Sequence, residues 1–254
     1  MLAHNAIIHA AAKKVLAPEG LFRMGSSRTW LDDNGYFVIL AEFQPSGWDR
    51  GTYLNVGPCF LWEHTPALDA ALTYDLGGRV MVDGRQFAAC GEDAEAFSRA
   101  AERFAIAALE KVREYRQLRD TDRAKALLLE ETGKRGCFWA LYDLAMLCFL
   151  RGEVPEGMRR LERFIALLKR RAGDTAPWEE ELLARCGAEL CPRLRDAEAG
   201  RQMVTEMILR RRTFFRGKSS CKKMRADAFP SPDLSGQGTE GPAGRNCQTL
   251  AEKT

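Results

Sequence analysis

Asn34-Gly35-Tyr36-Phe37-Val38-Ile39-Leu40-Ala41-Glu42-Phe43 is the stretch that decides the fold class. Its first two residues tolerate positive φ, which a type I′ hairpin turn requires at both central positions. The eight that follow are apolar on both faces, the pattern of a central strand covered on each side. The turn therefore predicts a hairpin that joins residues 22–32 to residues 36–43. Residues 52–61 read as a third strand, reached through a loop from Pro45 to Gly51 that is too long for a tight turn. Tyr74-Asp75 and residues 79–82, either side of Gly77-Gly78, predict another hairpin, and Asp83-Gly84 another turn.

Helical periodicity flanks this sheet. Residues 2–16 place Ile7, Ile8, Ala11, Val15 and Leu16 on one broad face, and Pro18-Glu19-Gly20 ends the run. From Glu92 onward the pattern predicts helices over 93–118, 122–131, 136–150, 155–171 and 178–214, the last interrupted at Cys191-Pro192. The pair at 136–171 resembles a single tetratricopeptide unit, but a shift of about 34 residues finds only a loose echo, so ordinary helix packing explains it. The fold class expected is α+β: an N-terminal helix plus an antiparallel sheet of about four to five strands, followed by an α-helical C-terminal region. The expected divisions are 1–92 for the α+β part, 93–216 for the helices and 217–254 for a disordered tail rich in Gly, Pro, Ser and Lys.

Composition narrows the function classes. A chain of 254 residues with 46% hydrophobic content can bury a substantial core. Net charge is only +3, yet residues 1–92 carry 7 Lys/Arg against 10 Asp/Glu, leaving the excess of cations to the C-terminal part. None of the eight cysteines is spaced CxxC, and several sit in apolar helical runs, as buried reduced thiols do. The N-terminus lacks the basic region of a secretory signal, and no apolar run reaches the ~18–20 residues of a membrane span. The expectation is a soluble cytoplasmic protein with no membrane partner.

Motifs that name a chemistry fail on their surroundings. Gly236-Gln237-Gly238-Thr239-Glu240-Gly241 fits GxGxxG literally, but it lies in the tail, with Pro242 where a helix should begin. Gly217-Lys218-Ser219 lacks the first glycine of a P-loop, since Arg212 stands there. The histidines are His4, His9 and His64; the first two diverge around a helix, and Cys186 and Cys191 form a single pair, so no metal site or cofactor is expected. Ser46 is not in a nucleophile elbow, because Gln44 replaces the first glycine. The basic run Arg210, Arg211, Arg212, Arg216, Lys218, Lys222, Lys223 and Arg225, with Phe214 and Phe215, suits phosphate contact and base stacking; it also suits a helix C-terminus in solvent.

The remaining candidate surface is the 44–55 loop. Trp48, Tyr53 and Trp62 would form an apolar wall, with Gln44, Ser46 and Asn55 as polar contacts and Arg28 and Trp30 facing the same surface from the preceding strand. The competing reading has Trp48 capping the core and the amides satisfying loop backbone.

Gly20-Leu21-Phe22-Arg23, then Arg28-Thr29-Trp30, Phe43-Gln44-Pro45-Ser46 and Tyr53-Leu54-Asn55-Val56-Gly57 resemble the bacterial proteins of domain of unknown function 4304. The likeness covers roughly residues 5–90 and departs at Leu21-Phe22-Arg23-Met24 and in the long helical C-terminal region. It implies an α+β fold and no mechanism. The leading expectation is a binding module for another protein or a small polar ligand. Two alternatives are a hydrolase-like enzyme using His64 with Glu42 or Asp49, and nucleic-acid contact through residues 210–225.

Overall fold

Strand pairing follows the apolar runs, with β3 at the centre. The computed structural model describes residues 3–134, 138–171, 177–218 and 221–224. Six strands form one antiparallel sheet: β1 (Phe22–Arg23), β2 (Thr29–Asp33), β3 (Phe37–Gln44), β4 (Gly51–Phe60), β5 (Gly78–Arg79) and β6 (Phe87–Ala89). They run in the order β1-β2-β3-β4-β5, and the short β5 and β6 share the far edge of β4. The register sets Trp30 opposite Ala41 and Ala41 opposite Val56, so one face carries Trp30, Ala41, Val56 and, by alternation, Phe37, Ile39 and Phe43. Helix α1 (Ala3–Leu16) covers that face, with the His9 ring against Trp30. Leu40 and Glu42 lie on the other face, under Phe215 and the segment Ala70, Ala71 and Leu72. Both faces of β3 are thus covered.

The turns differ from expectation in an instructive way. Gly35 has φ 87°, but Asn34 is not among the residues with positive φ, so the β2–β3 turn is not type I′. Asn34 is buried, its amide donating to the Asp32 carbonyl (3.0 Å) and carboxylate (2.9 Å) while its Oδ1 accepts from Arg119 Nε (2.6 Å). The Asn34 side chain is thus held by two local bonds and by one from Arg119, far along the chain. The double positive-φ turn occurs at Asp83-Gly84 instead, with φ 50° and 72°, closed by the Val82–Arg85 bridge. The expected strand over 22–32 is broken in two at Gly25 (φ 56°), where Ser27 Oγ donates to the Met24 carbonyl. Tyr74-Asp75 forms no strand, and β6 was not expected.

Helix α3 (Ala94–Arg116) opens the region read as purely helical, yet it packs beside α1 and on β3 and β4. Its stripe Phe97, Ala101, Phe104, Ala105, Ala108 and Val112 is buried. Before it, after β4, comes a four-residue turn of helix, α2 (Pro66–Asp69), and beyond it come α4 (Thr121–Glu131), α5 (Trp139–Leu150), α6 (Val154–Arg171) and α7 (Pro177–Arg185). Every residue of α5 from Ala140 to Leu150 is buried, as a helix apolar all round must be. The chain does not break at Cys191-Pro192. A π turn over Cys186–Leu190 leads into α8 (Cys191–Arg193), and the interruption comes at residues 194–196, where Asp196 caps α9 (Ala197–Gly217). The sheet and the helices share one continuous core. Cys221 and Met224, expected in the tail, are part of it, while 225–254 lie outside the described residues.

Candidate functional site

The loop between β3 and β4 separates into a pinned base and a bare tip. Ser46 Oγ accepts from the N–H groups of Trp48 and Asp49, both at 3.1 Å, which shapes the tip rather than offering a free hydroxyl. Below it, cross-strand pairing puts Glu42 opposite Asn55 and Gln44 opposite Tyr53. Asn55 Nδ2 donates to Gln44 Oε1 (2.9 Å) and Glu42 Oε2 (3.2 Å), and its Oδ1 accepts from Arg79 Nε (2.9 Å). Arg79 also reaches Gln44 (2.8 Å) and lies 3.9 Å over the Tyr53 ring, while Tyr74 donates to Glu42 (3.0 Å). Gln44, Tyr53 and Asn55 therefore do come together, in a network whose polar atoms bind one another.

The expected aromatic wall does not form. Trp48 is 96% exposed at the tip, whereas Trp62 is fully buried at the far end of β4, donating its Nε1 to Asp143 Oδ1 (2.8 Å). Strand length separates them. Arg28 and Trp30 belong to the opposite face: Arg28 bonds Asn5 on α1 and the Gly51 carbonyl (3.2 Å), and Trp30 packs on His9. Arg79 and Tyr74, which hold the network, were missed, because both act from segments whose pairing to β4 is invisible in local sequence.

Arg211 and Arg212 of the basic run are buried, and the half-exposed Arg210 beside them is paired. Arg210 forks onto Glu63 (2.9 Å twice), and Arg212 forks onto Asp33 (2.8 and 2.7 Å) while donating to the Gly35 carbonyl. Arg211 donates to the carbonyls of Phe60 (2.8 Å), Trp62 (3.1 Å) and Ala71 (3.3 Å). These three consecutive side chains rivet α9 to the sheet, a use for guanidinium forks that charge density alone does not reveal. Arg216, Lys222 and Lys223 are exposed, Lys218 donates to the Ala70 carbonyl (2.7 Å), and Arg225 lies outside the described residues.

The contacts of the arginines frame a second place of interest, the end of β4. His64 is paired neither with Glu42, which is bound to Tyr74 and Asn55, nor with Asp49, which is exposed in the loop. Its partner is Asp69: Oδ2 accepts from the His64 backbone N–H (2.8 Å) and Oδ1 lies 3.2 Å from Nδ1. Thr65 caps the short α2 and so fixes Asp69 in place. Beside the ring is a cavity of about 200 Å³ lined by His64, Leu68, Thr73, Asp75, Trp139 and Arg211 among others. Burial pushes the Asp75 carboxyl up from the usual carboxylate range, against the pull of His64 and of the Phe60 N–H that one of its oxygens accepts. Burial and the neighbouring Asp75 push Asp143 up as well. Cys59, also buried here, has its thiol pushed up to about 12 and is no nucleophile at neutral pH.

A larger open groove of about 730 Å³ runs past Glu63, Asp69, Arg185, Arg210 and Phe214. Its charges are largely paired across it, Glu63 taking both Arg185 (3.0 Å) and Arg210. Among the described residues, no three His, Cys, Asp or Glu side chains gather as metal ligands would, and no helix is long and apolar enough to cross a membrane. No family model, curated protein or solved structure matches this chain.

Proposed function

We propose that this protein is a binding module that engages another protein through the tip of the β3–β4 loop. The observation that supports this is Trp48: an indole 96% exposed, on a loop whose neighbouring polar groups are bound internally. Tryptophan is the side chain most enriched at interface hot spots, and a pinned loop presents it with little ordering cost on binding. The network of Glu42, Gln44, Asn55 and Arg79 holds the loop's base and serves as scaffold.

Trp48→Ala is the test. It removes the indole without touching the network, so stability changes by no more than about 0.5 kcal/mol, as for a surface site. The tagged full chain and the variant are compared for capture of one reproducible partner, whose affinity for the purified chain is then measured. Trp48→Ala lowering that affinity about tenfold or more supports the reading, as hot-spot truncation does. An unchanged affinity removes the loop from the interface.

A further inference from the structure

We propose that the cavity beside the end of β4 is a binding site for a neutral, single-ring amide-type molecule, held between His64 Nε2 and the carboxyl of Asp75. This site is separate from the Trp48 loop and does not depend on the reading given to it.

The argument begins with His64. Its Nδ1 faces the Asp69 carboxylate, so the tautomer that this contact selects in the neutral ring has the proton on Nδ1 and the lone pair on Nε2. Nε2 has no hydrogen-bond partner among the described residues and is not sealed from solvent, while the ring lines the cavity. Asp75 is the second handle. The Phe60 N–H occupies one carboxyl oxygen, and the other has no partner among the described residues. Burial pushes the Asp75 carboxyl up, toward the protonated form in which that oxygen offers an O–H donor to the same cavity.

The third group excludes the charged alternatives. Arg211 is 95% buried, since its side chain is 5% exposed, and its two Nη groups donate to three carbonyls. Its Nε has no hydrogen-bond partner, and the nearest carboxylate, that of Asp69, is 3.8 Å away. The Asp69 carboxylate, beside both His64 and Arg211, offsets the Arg211 charge, so the cavity carries little net charge. A cation entering would meet Arg211, and an anion would meet the Asp69 carboxylate beside the His64 ring. A neutral ligand pays neither cost.

The handles then specify the ligand edge. An acceptor at His64 and a donor at Asp75 match an N–H beside a carbonyl, and Leu68 and Trp139 supply apolar walls for a ring. About 200 Å³ admits one ring rather than two.

The test is calorimetric titration of the full chain with 2-pyridone, the smallest single-ring lactam, alongside benzoate and benzamidine as anionic and cationic rings of similar size. 2-Pyridone is expected to bind more tightly than either. His64→Phe and Asp75→Leu are each expected to weaken it about tenfold, the size of one lost hydrogen bond. Asp75→Asn, which keeps a neutral donor and an acceptor for the Phe60 N–H, is expected to retain binding. Circular dichroism of each variant separates loss of the site from loss of the fold, and Asp75→Asn keeps the comparison usable if Asp75→Leu does not fold. Preference for benzoate or benzamidine, no binding of 2-pyridone, or binding indifferent to His64→Phe would overturn the proposal.

Discussion

Replacing Arg212 by Met tests whether α9 is riveted to the sheet by charge. The guanidinium is 1% exposed and forks onto an Asp33 side chain that is itself 8% exposed, with a further bond to the Gly35 carbonyl. Methionine keeps the apolar stem and removes the charge, which leaves the Asp33 carboxylate in a low-dielectric site without the cation. Breaking a buried pair from one side costs about 3–5 kcal/mol, against about 0–1 for an exposed one. With an m-value of about 2 kcal/mol per molar urea, the midpoint should fall by roughly 1.5–2.5 M. Tryptophan fluorescence reads the transition, since Trp62 and Trp30 are buried in the shared core. Adding Asp33→Asn to Arg212→Met should recover part of the loss, because the stranded charge is then gone. A midpoint drop below roughly 0.5 M, equivalent to about 1 kcal/mol, would refute the reasoning. So would strict additivity of the two substitutions, since coupled neighbours do not add.

Two further outcomes are expected. The Asp143 carboxyl is raised in the folded state above its ordinary 3.8, so its contribution to stability is full below about pH 4 and is lost as pH rises through the folded value. Asp143→Asn, which can still accept from Trp62 Nε1, should therefore match or exceed the parent's melting temperature at pH 8 and lose that advantage near pH 4; a variant weakest at pH 8 would mean that Asp143 is ionised in the fold. Gly57→Ala would place a Cβ 2.0 Å from the Leu76 carbonyl oxygen, a backbone atom that cannot rotate away, so a loss of about 1–3 kcal/mol is expected in thermal unfolding. Gly187→Ala, with no neighbour within 4 Å of the new methyl, is the control and should be close to neutral.

Much of the candidate site was legible as residue types and little of it as pairings. Gln44 and Asn55 were recognisable because the β3–β4 hairpin is local, and cross-strand neighbours follow from two adjacent apolar runs. Arg79 was not, because β5 is two residues long and its pairing to β4 spans a connection with no periodicity of its own. His64 stood out as a rare residue, but its partner Asp69 depends on the short helix that Thr65 caps, while Glu42 is bound to Tyr74 and Asn55 and Asp49 is exposed in the loop. The basic run misled for a related reason: charge density shows how many arginines there are, not which way each one faces.

Local patterning was enough to determine the class of this protein, because burial alternates with a period of two in strands and 3.6 in helices, and those periods are written in adjacent residues. It determined a central strand at 36–43, which the structure places at 37–44, a helix ahead of it and a run of helices after it. The tertiary structure alone decided that α3 lies against the sheet, that Arg210, Arg211 and Arg212 hold α9 in place, and that Trp48 and Trp62 stand at opposite ends of β4. Each of those joins residues far apart in the chain. What settles them is the cost of leaving a buried charge or polar group unpaired, and that cost is defined only once the folded chain has fixed which groups are neighbours.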